Sequence, residues 1–71
     1  IMNYKNFFKW LEITYDIDIN KNLQNSLEEH FGDDLNIYTE QDLYEQSRKV
    51  IQTYKENYLQ YNKYKRYYSE D

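Results

Sequence analysis

The feature that most limits what this chain can become is one seam in its second half. Leu43, Ser47, Val50, Tyr54, Asn57, Tyr61, Tyr64 and Tyr68 follow one another at alternating intervals of four and three residues. That spacing marks one continuous helical stripe of the kind that pairs helices, and Tyr44, Ile51 and Tyr58 widen it. Thr39-Glu-Gln-Asp42 precedes it with the spacing of a capping box, an aspartate replacing the usual Glu or Gln. A helix from Glu40 to about Tyr67 is therefore expected, and at 1.5 Å per residue it is about 42 Å long. The rest of the chain is too short to cover it. Its distal end, residues 63–71, is expected to protrude or fray as a basic tail.

Two shorter helices are expected before it. The first runs from Tyr4 to Tyr15, with Tyr4, Phe7, Phe8, Leu11 and Tyr15 on one face and Trp10 at its edge. Asn3 precedes it as an N-cap, its side-chain oxygen able to accept from a first-turn amide. The second covers Asn20 to Phe31, where Ile19, Leu23, Leu27 and Phe31 recur at every fourth position. Gly32, the single glycine, stands where a helix C-terminus favours a left-handed residue. The expected fold is mostly α: a three-helix domain with two short helices packed on a long C-terminal one. An alternative is a small α+β domain, because residues 13–19 alternate like a strand and residues 35–39 could pair with them in a two-stranded ribbon.

Composition narrows the chemistry. The chain has 71 residues and no cysteine, so it offers neither disulfides nor thiolate ligands. One small domain, residues 1–71, is expected, and its core must be aromatic and aliphatic. Phe, Tyr and Trp supply fourteen residues, ten of them tyrosines whose hydroxyls need partners or water. No apolar run reaches the length of a membrane span. A soluble cytoplasmic protein with no membrane partner is expected. The scarcity of Gly, Ala and Pro beside abundant Asn, Lys, Ile and Tyr suits an AT-rich coding sequence, hence a low-GC bacterium or one of its phages.

Asp16-Ile-Asp-Ile-Asn-Lys-Asn-Leu23 comes nearest to site chemistry. Asp16, Asp18, Asn20 and Asn22 occupy the first four ligand positions of a calcium loop, and Leu23 its apolar position. Lys21 stands where the loop needs glycine, and Leu27 where it needs a closing bidentate glutamate. The stretch therefore reads as a connector and helix cap, with no metal site. His30 lies at a helix C-terminus, where positive charge is favourable, and has no neighbouring His or Cys. A lone glycine excludes a Gly-rich phosphate loop. Neither an enzyme nor a cofactor is expected.

Charge is unevenly placed. Residues 1–45 carry three lysines against ten acids, a net of −7, whereas residues 46–71 carry six basic residues against three acids, a net of +3. Asp16, Asp18, Glu28, Glu29, Asp33 and Asp34 are the candidate acidic face, and Tyr64, Lys65, Arg66, Tyr67 and Tyr68 the candidate contact tail. The expectation is a small acidic protein-binding module, a phage or mobile-element inhibitor or regulator of a host nucleic-acid enzyme or defence system. One alternative is a nucleic-acid-binding regulator: aromatic rings interleaved with cations at the C-terminal end suit stacking bases and phosphates. Another is a helical homodimer built through Tyr54, Tyr61 and Tyr68.

Phe7-Phe-Lys-Trp-Leu11 resembles the F-Y-x-W-L opening of the YozE-like family, small helical proteins of low-GC bacteria with a SAM-like fold. The likeness covers those five residues. Phe31-Gly32 stands where that family has Phe-Pro, and the C-terminal aromatic pattern departs from it. The resemblance implies a helical fold and no defined activity.

Overall fold

The computed structural model describes residues 2–68, with side chains from Met2 to Asn57. Over that span the chain forms α1 (Tyr4–Tyr15), α2 (Lys21–Phe31) and α3 (Glu40–Tyr68), with a 3-10 turn at Leu35–Ile37 between α2 and α3. Each helix starts where a side-chain oxygen takes up an amide that the helix leaves unpaired. Asn3 Oδ1 accepts from Asn6 N–H at 2.9 Å, Asn20 Oδ1 from Leu23 N–H at 2.9 Å, and Thr39 Oγ1 from Asp42 N–H at 3.0 Å.

The helix ends divide the positive-φ positions between them. Gly32, at φ 82° and ψ −162°, closes α2 and donates its N–H to Glu28 O at 2.8 Å. A Cβ there would meet open space, so backbone conformation alone calls for glycine. The left-handed helical corner lies instead at Asp16, φ 52° and ψ 52°, where α1 stops. The positive φ expected of Gly32 is present at the end of α2, and Asp16 is a second such position that the sequence did not mark. Aspartate is one of the few residues that enter the left-handed region at modest cost.

Every helix contributes a row of buried residues four apart: Phe7 and Leu11 from α1, Leu23, Leu27 and Phe31 from α2, and Leu43, Ser47 and Ile51 from α3. Ile19 and Leu35, from the connections, complete the core. Phe31 sits at its centre, edge-on to Phe7 at 5.3 Å on one side and to Tyr38 at 5.2 Å on the other. Trp10 is half-buried and lies nearly parallel to Phe7, 6.0 Å away. Ser47 is the one buried polar residue among those described; its hydroxyl donates to Tyr44 O at 3.0 Å. A side chain this small at a core position lets the backbone of α3 come close to the residues facing it.

The two-stranded ribbon does not form. The amides that it would need are engaged locally: Ile17 N–H reaches Glu12 O at 3.3 Å, and Ile19 N–H reaches Glu12 Oε2 at 3.2 Å. Residues 35–37 coil into the 3-10 turn, capped by Asp34 Oδ1 accepting from Asn36 N–H at 2.9 Å. The alternation in residues 13–19 has another cause. Ile13 is 82% exposed on the outer face of α1, whereas Ile17 and Ile19 turn inward from the connector.

Paired contacts give the helix directions. Asn20 meets Tyr54 and His30 meets Gln46, so α2 runs antiparallel to α3. At one end of α1, Tyr15 stacks on Tyr44 at 5.6 Å and donates its hydroxyl to Tyr44 O at 3.0 Å. At the other, Tyr4 donates to Gly32 O and Met2 N–H to Asn36 Oδ1. The described residues extend over 51 × 21 × 18 Å, the long axis following from the 29 residues of α3.

Candidate functional site

The six acidic residues do not share one face. Asp16 and Asp18 precede α2, while Asp33 and Asp34 follow it, so its 11 residues put about 16 Å between the two groups. Glu28 and Glu29 also diverge. Glu28 lies beside Tyr4 with Asp33: burial first, and then these two carboxylates and Tyr38, push the Tyr4 hydroxyl above its ordinary pKa. Glu29 turns toward α3 and lines the groove described below.

Their hydrogen bonding differs too. All six are exposed. Asp34 is engaged, its Oδ1 accepting from Asn36 N–H at 2.9 Å and from Asn36 Nδ2 at 3.3 Å. Among the described residues the carboxylates of Asp16, Asp18, Glu28, Glu29 and Asp33 make no hydrogen bond or ion pair within the chain. Glu28 and Asp33 therefore form an acidic corner free to meet a partner, braced by the Tyr4–Gly32 and Met2–Asn36 bonds.

The connector Asp16–Leu23 has a structural role. Asn20 Oδ1 caps α2, and its Nδ2 donates to the Tyr54 hydroxyl at 3.0 Å, fixing the start of α2 to the middle of α3. Gln24 Nε2 holds Ile19 O at 3.1 Å. Of the four oxygens that looked like calcium ligands, the one on Asn20 is directed at a helix terminus. His30 is used in a similar way, its Nε2 lying 2.9 Å from Gln46 Oε1 and its ring edge-on to Phe31 at 4.9 Å.

A feature that sequence reasoning missed is an open groove of about 580 Å³ between α2 and α3. Ser26, Glu29 and His30 form one wall; Lys49, Val50, Thr53, Tyr54 and Asn57 form the other. The signal was present in the spacing, since Ser26, Glu29 and His30 are one helical face and Val50, Tyr54 and Asn57 belong to the seam. What hid it is that spacing along the chain does not say how closely α2 lies against that seam. The side chains of Tyr64, Lys65, Arg66, Tyr67 and Tyr68, and of every other residue in the expected tail 63–71, lie outside those described.

The chain matches no family model, no curated protein and no solved structure. The YozE-like resemblance thus stays one of five residues. Among the described residues no helix is long and apolar enough to cross a membrane.

Proposed function

We propose that this chain is a small acidic protein-binding module whose contact surface is the corner formed by Glu28 and Asp33. The observation that carries this reading is that both carboxylates are exposed and, among the described residues, make no hydrogen bond or ion pair. Around them Tyr4, Gly32, Met2 and Asn36 hold the α2–α3 connection and the start of α1 in fixed relation. Charges on a braced surface lose little conformational freedom on association, which favours binding to a basic partner. An inhibitor or regulator of a host nucleic-acid enzyme fits this description, its carboxylates occupying a groove built for phosphates.

The test is retention of a partner by the immobilised chain from an extract of low-GC bacterial cells, with and without Glu28→Lys and Asp33→Lys. Both sites are exposed, so the double variant should keep its helical circular dichroism. The reading expects a basic protein that the parent chain retains at low salt, that the double variant loses, and that salt releases. Retention indifferent to the two charges would sink it. Recovery of nucleic acid in place of protein would transfer the function to the C-terminal end of α3.

A further inference from the structure

We infer that the groove between α2 and α3 is the contact surface between two copies of this chain, related by a two-fold axis parallel to those helices. The first support is the partial covering of the seam. Leu43 and Ser47 lie 3% and 0% exposed beneath the short helices. The next three positions, Val50, Tyr54 and Asn57, line the open groove. In the sequence the same four-and-three spacing then runs on through Tyr61, Tyr64 and Tyr68. A seam of this period is complementary to helices that present side chains at matching intervals, and a second copy supplies that match.

Charge supplies the second support. One wall of the groove carries Glu29 and the other Lys49, and among the described residues the two make no ion pair. A two-fold axis running along the groove places the α3 of one copy over the α2 of the other. Glu29 of each copy then faces Lys49 of the other, as an isologous interface requires. Because α2 and α3 are antiparallel, the four helices meet as antiparallel neighbours, with the two α3 helices parallel across the diagonal. A nucleic acid would bring its phosphates against Glu29. A strongly basic or strongly acidic peptide would suit one wall and be repelled by the other. This interface is separate from the Glu28–Asp33 corner and does not depend on the function proposed for it.

Sedimentation equilibrium over a concentration series tests the inference directly. The 9.0 kDa chain should sediment with about twice that mass. Glu29→Lys and Lys49→Glu singly should each weaken the dimer about tenfold or more, since each sets like charges against one another. The double variant Glu29→Lys/Lys49→Glu should recover an affinity close to that of the parent. Both residues are exposed, so circular dichroism should not change among the three. Val50→Asp should dissociate the dimer, and Glu28→Lys/Asp33→Lys should leave it intact. A chain that stays monomeric up to about 1 mM overturns the inference. So does a dimer that ignores the single reversals, or one that the double variant fails to restore.

Discussion

Two neighbouring stretches of α3 follow one periodic pattern and differ in how far they are covered. From Leu43 to Ile51 the helix buries Leu43, Ser47 and Ile51 beneath α1 and α2. From Val50 to Asn57 it presents Val50, Tyr54 and Asn57 to an open groove, although these residues continue the same periodic pattern. A seam declares that a face will be covered, and leaves open by what. Coverage is decided by length: α1 has 12 residues and α2 has 11, against 29 in α3.

The sharpest way to test that contrast is to remove volume from each stretch. Ile51→Ala should cost about 3 kcal/mol, because it leaves a cavity in a packed core. Val50→Ala, at a half-buried position one residue away, should cost about 1 kcal/mol or less when the chain is dilute. Urea titration of both variants at low concentration reads the difference, and equal costs would erase the distinction between the stretches. Ser47→Leu probes the buried stretch from the other direction. It should destabilise by about 2 kcal/mol, because the added methylenes have no space beside α1. Thermal melts would show this, and a neutral outcome would mean that the helices can move apart freely.

Next in size is the tie at the less covered stretch. Asn20 both caps α2 and pairs with Tyr54, so Asn20→Ala should cost about 1.5 kcal/mol. Amide exchange near Tyr54 should then quicken more than exchange near Leu43.

The smallest effect is alkaline. Tyr4 and Tyr15 both have hydroxyls raised above 10.0, burial being the first cause in each. As pH rises past 10.0 the unfolded chain deprotonates first, so the stability present below that value declines through the higher folded-state pKa. Melts from pH 9 to about 11 should show a fall that Tyr15→Phe reduces, beside a loss of about 1 kcal/mol at neutral pH from its bond to Tyr44 O.

Much of this architecture was legible in the residues themselves. Asn3, Gly32 and Thr39 act through bonds or dihedrals local to a few positions, and the helix bounds that they mark agree with the structure. Periodicity likewise identified the rows through Phe7, Leu27 and Leu43. The grouping of charges was not legible, because it depends on how elements lie in space. Glu28 and Glu29 are neighbours in the chain, but they point toward different helices. Asp16 and Asp18 looked able to join Asp33 until α2 was seen to separate them. The alternation of residues 13–19 misled for a related reason: a helix end followed by an inward-turning connector produces the same pattern as a strand.

Asp16 carries a consequence for how this sequence could be improved. It holds a left-handed dihedral pair that most side chains resist, while the single glycine of the chain stands at Gly32. The corner that reverses α1 toward α2 is therefore kept under mild torsional strain at a solvent-facing position. Asp16→Gly should release it and raise stability by about 0.5 kcal/mol, the relief exceeding glycine's added freedom in the unfolded chain. A reserve of stability thus sits outside the core, one codon away.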